Sequence, residues 1–545
     1  MKRVSKSEHR VRSAFKRLNR LHWLQNEGCE LSFDLSALTK KLQKEAPEWK
    51  PEYAQNAAES LEARSGWIRT ETDWSSLASL PLSKILDHAA RRRGADFRDL
   101  TEYDPFAGLC DDAPLRALGA LTLELKGGNF SSNHWETYLS RYSRKNDNYR
   151  LKLLVGGRIT QVPIEDFKNI LLTASSWFKV VGSELREKNP KMFQAVWDKF
   201  IDTITQHENS SGSSLVRQEI KEIDWTGEAI NSPSGNLAEL HMTDPAKENL
   251  EAGKGYPKAW LSKVDQLLKL PNDAHRYAMV IFAFNFSWFH CIDPTWTEQT
   301  LLKVIEDDED IDDKDAIWAG FMWGARRLNA DLYIKLKPHL LKMANERVSE
   351  RRRHVEVLAG VLLSGWGSKD EKKRRFVTDE ELRNVLLNSG EDFRSHILWH
   401  LERWSKDKQN DWDKEIFEFL QNVWPKHKKV RTSKTSARLC EIALHQTDNF
   451  PAVSQQVAQL VSKIGNEHAY IPEIRKTGRH EDEGSHNLVS KYPEDYLNLL
   501  YAILSDQPHQ WPYRTNDVLK KIEKSDPKLL NDPRLIELKA RLNEL

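Results

Sequence analysis

Apolar residues recur at steps of three and four along most of the chain. The stretches that carry them are about one helix long and are separated by short polar breaks. In the second half this pattern predicts helices over 257–270, 274–289, 296–305, 313–328, 331–345, 349–363, 378–388, 392–405 and 411–423. It continues over 433–445, 451–464, 492–504, 515–524 and 533–542. Pairs of such segments, spaced by about 35 to 45 residues, match an irregular HEAT- or TPR-like array without a strict consensus. Gly365-Trp366-Gly367-Ser368, Trp424-Pro425 and the polar segment 465–486 read as breaks between helices.

The first half is helix-patterned too. Val4, Val11, Phe15, Leu18 and Leu21 form a stripe among Lys2, Arg3, Lys6, Arg10, Arg12, Lys16, Arg17 and Arg20, which predicts a basic amphipathic helix. Such a helix suits nucleic acid, an acidic partner or anionic lipid, although packing on its own domain with a solvated basic face is the commoner outcome. Further helices are expected at 35–45, at 51–64 behind a proline, and at 81–93, where basic residues fill the last turn as the helix dipole favours. Gly127-Gly128-Asn129 and Gly156-Gly157-Arg158 read as turns. The segment 208–214, ENSSGSS, lacks bulky residues and reads as a linker. The expected organisation is therefore all-α: an N-terminal helical domain over 1–208, a linker with bridging helices over 209–256, and a C-terminal helical-repeat-like domain over 257–545.

Charge sharpens this picture without pointing to one partner. Charged residues make up 30% of the chain, yet the net charge is only +1, so both signs crowd the surface and any electrostatic specialisation is local. Trp is as numerous as Phe, 19 of each, which supplies many large anchors for helix joints. Cys29, Cys110, Cys291 and Cys440 are far apart, with no paired spacing for zinc or a disulfide framework, and fit a reducing cytoplasm. The most apolar run, 277–289, is shorter than the roughly 18 residues a membrane span needs, and the N-terminus lacks the apolar core of a secretion signal. A cytoplasmic location without a membrane partner is expected.

No catalytic signature emerges. The glycine pairs lack the spacing of a P-loop or a dinucleotide fingerprint, and no nucleophile elbow occurs. Residues 306–315 hold eight carboxylates and one lysine, but without the central glycine and terminal glutamate of a calcium loop they read as a solvated lead-in to a helix. His396 and His400, four apart near Glu402, share a helical face yet lack a third zinc ligand, and Glu441 with His445 is no better supplied. His480 to His486 is rich in ligand types but reads as an exposed loop. No cofactor, metal or catalytic residue is assigned.

Basic clusters are the better candidates. Arg351, Arg352 and Arg353 follow Arg347; Lys372, Lys373, Arg374 and Arg375 follow Lys369; and Lys426, Lys428, Lys429 and Arg431 precede Lys434 with no acid among them. Trp366, Phe376 and Trp424 lie nearby, the mixture that nucleic-acid surfaces use for phosphate neutralisation and base stacking. Glu346, Glu350, Glu356, Asp370 and Glu371 interleave the first two clusters, and runs of charge are usually solvated faces, so the 426–434 run is the strongest of the three.

Four blocks carry a resemblance: INSPSGNLAEL (230–240), FHCIDPTWTEQTLLKVI (289–305), IWAGFMWGARRLNADLYIKLKPHLL (317–341), and KYPEDYLNLLYAIL with QWPYR (491–514). Together they resemble the helical tail domain of bacterial antiviral defence proteins, as found after sirtuin-like modules. These blocks hold no catalytic residues of the family. The segment before them is helix-patterned where a sirtuin-like module would stand, so the resemblance implies an accessory subunit of a multi-gene antiphage system of the Druantia or Zorya sort, partnered by a separate helicase or nuclease. A non-catalytic scaffold that binds partner proteins, with DNA as a candidate partner, is the expected function. The alternatives are a divergent nuclease or NAD-consuming effector, and a nucleic-acid-binding helical module outside defence.

Overall fold

The computed structural model describes residues 6–54, 69–96, 101–207, 223–307, 310–324, 328–345, 352–406, 412–446, 448–465, 471, 474 and 488–543. The chain divides into two compact units, Met1–Leu123 and Glu124–Leu545. Both are helical, and the architecture is all-α and helical-repeat-like. Among the described residues the only sheet is three strands of three residues each, all in the first unit.

In the first unit, α1 (Lys6–Asn26) ends at Gly28, whose φ of +83° is the left-handed conformation that terminates helices and favours glycine. Asp34 then caps α2 (Leu35–Gln43) by accepting from the amides of Ser36 and Ala37. Ala14 and Leu18 of α1 are buried with Leu42, Ala46, Trp49 and Ala54, while Val11 is 44% exposed. The basic helix is thus packed on its own unit by one narrow apolar edge. Of the helix expected at 51–64, Pro51–Ala54 is a single 3₁₀ turn and the remainder lies outside the described residues. Strands β1 (Arg69–Glu71), β2 (Gly94–Asp96) and β3 (Thr101–Tyr103) pair in the order β1-β3-β2, the first pair parallel and the second antiparallel. Between the first two lies α3 (Leu82–Arg92), with Arg91 and Arg92 in its last turn. After β3, Asp104 caps α4 (Pro105–Asp112) through the Ala107 amide.

The second unit is a succession of helices that pack on near neighbours. These include α5 (Leu171–Lys188), α6 (Pro190–Gln206), α7 (Pro233–Met242), α8 (Lys258–Leu268), α9 (Asp273–Phe284), α10 (Ile311–Gly324) and α11 (Ala330–Asn345). They continue as α12 (Arg352–Gly367), α13 (Asp379–Asn388), α14 (Glu391–Ser405), α15 (Ser433–Leu444), α16 (Phe450–Leu460), α17 (Pro493–Ile503), α18 (Thr515–Ser525) and α19 (Pro533–Asn543). The joints run α5 to α7, α7 to α9, α9 to α10, α12 to α14, α14 to α15, α15 to α16 and α16 to α17, the neighbour-to-neighbour pattern of repeat proteins.

The expected linker at 208–214 lies outside the described residues. On either side of it, α5 and α7 are packed together: the Lys179 ammonium is 2.6 Å from Glu239, and Asn236 donates to the Ser175 hydroxyl at 3.0 Å. The most extensive joint, α9 on α10, depends on glycine. A Cβ at Gly320 would overlap the Val280 carbonyl, and one at Gly324 the Phe284 carbonyl, so the glycines at this four-residue spacing let the helix backbones touch.

Three local expectations are corrected. Gly156 and Gly157 lie inside the helix Tyr149–Ile159, where Gly156 faces Met192 and Val196 of α6 and is not a turn. Gly365, Trp366 and Gly367 are the last residues of α12 and not a break, because Gly365 leaves room for the Tyr333 hydroxyl. The helix expected over 274–289 stops at Phe284: Asn285 leaves helical backbone geometry and its side-chain amide donates to the Ile281 carbonyl, and a new helix, Phe286–Ile292, starts there. No helix among the described residues is long and apolar enough to cross a membrane.

Candidate nucleic-acid interface and helical cleft

The eleven basic residues singled out from the sequence have different fates. Arg351 lies outside the described residues, and Arg352 and Arg353 open α12. Residues 368–376 form a tight excursion held by bonds from the Phe376 amide to the Ser368 carbonyl and from the Asp370 amide to the Arg374 carbonyl, with Lys373 at φ +60° in its turn. Lys372 and Lys373 sit exposed at its tip without an ion pair among the described residues. Arg374 turns back to Asp370 at 2.8 Å.

Arg375 is structural. It is only 13% exposed, lies over the Trp366 ring at 4.0 Å, donates to the Trp366 carbonyl, and reaches Glu415 at 2.5 Å and Glu418 at 2.8 Å. Its guanidinium stitches the end of α12 to the helix Trp412–Glu418. Lys369 joins the same Glu415 at 3.2 Å.

The run at 426–434 divides similarly. Trp424 and Val430 are buried and anchor a short turn, Lys428–Val430, that leads into α15, whose start is closed by a reciprocal Thr432–Thr435 capping box. Lys426, Lys428 and Lys429 are exposed, with no ion pair among the described residues. Arg431 instead folds back to the Lys426 carbonyl at 2.9 Å, and Lys434 is held by Asp392 at 2.5 Å. The result is an anchored turn presenting three ammonium groups that are unpaired among the described residues.

Of the residues weighed as metal ligands, Asp310, Asp313, His400, Glu402, Glu441 and His445 are engaged with protein partners. In the acidic tract, Asp310 and Asp313 close on Arg276 of α9, at 2.7 and 2.6 Å, and Asp273 completes the set at 2.8 Å. The guanidinium stands where a cation would. His400 donates from Nε2 to the Glu356 carbonyl at 2.9 Å, and burial lowers the pKa of both His396 and His400, which keeps them neutral near pH 7. Glu402 lies between Lys406, Arg438 and His445 at 2.8, 3.7 and 3.5 Å, and Glu441 pairs with Arg438 at 3.0 Å, so these groups form an ion network between α14 and α15. No group of three or more candidate ligands is poised for a metal among the described residues. His480 to His486 lies outside them.

A separate feature, not anticipated from the sequence, is a cleft of about 510 Å³ along one face of α12. Its lining includes Phe376, on which the buried Tyr333 ring of α11 stacks at 5.7 Å, and Arg403 and Trp404 of α14. Gly360 and the exposed Ser364 of α12 line it as well, and Gly360 lets the His400 ring rest against the α12 backbone. Arg403 is exposed, stacked at 5.3 Å on Trp399, and has no ion pair among the described residues. The signal in the sequence was the four-residue spacing of Gly360, Ser364 and Ser368 opposite that of His400 and Trp404.

No family model matches the chain, and no curated protein matches it. Two surfaces with distinct chemistry follow from the geometry alone: a projecting basic turn suited to polyanions, and a recessed aromatic cleft with one cation at its rim.

Proposed function

We propose that this chain is a non-catalytic docking component of a multi-gene bacterial antiviral defence system, acting in the cytoplasm and binding partner proteins and DNA along its charged helical surface. The observation that carries the DNA-binding part is the turn at Lys426, Lys428 and Lys429, three exposed ammonium groups on an anchored backbone with no ion pair among the described residues. The neighbour-to-neighbour helical packing supports the docking role, because stacks built this way commonly serve as binding surfaces. The defence assignment rests on the resemblance of the four sequence blocks. In this chain they supply helix joints: Ser232 caps α7, Gly320 seats α10 on α9, and Leu497 and Leu500 are buried in α17.

The test is the triple variant K426E/K428E/K429E, with duplex DNA retention measured across a salt series. Loss of retention, with the slope of log affinity against log salt reduced by about 3, is expected. Retention equal to wild type would remove the turn as the contact. Degradation of DNA or NAD by the purified chain, abolished by one carboxylate or histidine substitution, would overturn the non-catalytic reading. Deleting the gene should abolish phage protection by its neighbouring genes, and protection that survives deletion would remove the defence role.

A further inference from the structure

We propose that the cleft between α11, α12 and α14 binds a nucleotide, a nucleobase bearing a phosphate. It is separate from the basic turn and does not depend on the docking role.

The cleft's volume of about 510 Å³ falls within the roughly 300 to 1,000 Å³ of small-molecule sites. Its chemistry has two halves. The half-buried Phe376 and Trp404 rings line the space and offer apolar ring surface to a flat heteroaromatic group, with the buried Tyr333 ring stacked on Phe376. The Tyr333 ring is only 5% exposed and its hydroxyl is satisfied by the Val361 carbonyl at 3.2 Å, so it serves as the packed support of the Phe376 ring. At the rim, the Arg403 guanidinium is steadied by Trp399 and is unpaired among the described residues, which suits the fork geometry of a phosphate. The Ser364 and Ser368 side chains and the exposed Glu356 carboxylate line the same space, providing donors and acceptors for sugar hydroxyls and base edges.

These halves select the ligand class together. A purely apolar ligand would leave Arg403 and the two serines unanswered, and a simple anion would leave the ring surface bare. A nucleotide answers both. The same chemistry is offered by a free mononucleotide and by the phosphorylated end of a strand, and the experiment separates them.

The test titrates the full chain calorimetrically with each of the four ribonucleoside 5′-monophosphates, and with a 5′-phosphorylated oligodeoxynucleotide in the K426E/K428E/K429E background. Saturable binding of at least one mononucleotide identifies a free nucleotide as the ligand, and binding of the oligonucleotide alone identifies a strand end. In either case Arg403→Glu should weaken binding by about tenfold or more, and Ser364→Trp, which fills the cleft from an exposed lining position, should abolish it. Arg403→Gln, which removes the charge without reversing it, serves if the Glu variant melts early. The triple lysine variant should leave mononucleotide affinity unchanged, so failure of the turn as a DNA contact and failure of the cleft are read independently. Absence of binding by every probe, or binding unaltered by both cleft variants in chains with wild-type melting curves, would overturn the proposal.

Discussion

Arg276 Nε lies 2.6 Å from Asp313 Oδ1, and the same guanidinium also bonds Asp273 and Asp310, so one side chain from α9 neutralises the acidic lead-in to α10. Burial alone would raise the Asp313 pKa, but the hydrogen bonds from His275 and Arg276 outweigh it and hold the carboxylate below its ordinary range. Arg276→Met should therefore destabilise the chain by about 2 kcal/mol, read as a lower urea midpoint, because carboxylates at the α9–α10 joint lose their charged partner. Millimolar calcium should leave the wild-type melting temperature unchanged. A calcium-dependent rise in the wild-type protein would show that the tract holds an ion and that the arginine pairing is replaced.

His241 gives the pH dependence its sign. Its ring is buried between Trp197 and Trp260, with Nε2 3.0 Å from the Trp260 carbonyl. Burial, with Arg186 and Lys263 nearby, pushes its pKa down to about 3. The unfolded chain therefore takes up this proton first as pH falls. Stability is complete above about 6.5, the ordinary histidine value, and declines on acidification toward about 3. Between pH 7.5 and 5.5 the wild-type protein should lose on the order of 1 kcal/mol through this site, while His241→Gln should be less stable at pH 7.5 and lose less on acidification. Equal losses in the two proteins would mean that other groups carry the linkage.

Helix positions were legible in the sequence where their causes are local. The segment expected over 378–388 is α13, Asp379–Asn388, because the Thr378–Glu381 capping box lies within one turn of its start. Proline likewise marks the starts of α17 and α19. Glycine was misread where its meaning depends on a distant neighbour: Gly365 tolerates helix geometry and is needed because Tyr333 reaches it from α11. The three-residue strands are too short to show a period of two. The same distance effect hid the roles of the basic residues, since Glu415 lies 40 positions from Arg375, and nothing local separates a structural arginine from the exposed Lys372.

That separation is testable by substitution. Arg375 combines a stack on Trp366 with three carboxylates, Asp379, Glu415 and Glu418, and a carbonyl, mostly out of water, so Arg375→Ala removes a packed cation and leaves Glu415 with Lys369 alone. A cost of about 2 to 3 kcal/mol is expected in denaturant unfolding. Lys372→Ala and Lys373→Ala, at the exposed tip of the same excursion, should each change stability by less than about 0.5 kcal/mol. On DNA the order reverses: each lysine substitution should lower the salt dependence of retention if the tip shares the phosphate contact, whereas Arg375→Ala should leave that slope unchanged below its unfolding midpoint. An Arg375→Ala protein of wild-type stability would mean that the guanidinium is not a structural tie, and would restore it to the set of candidate phosphate contacts.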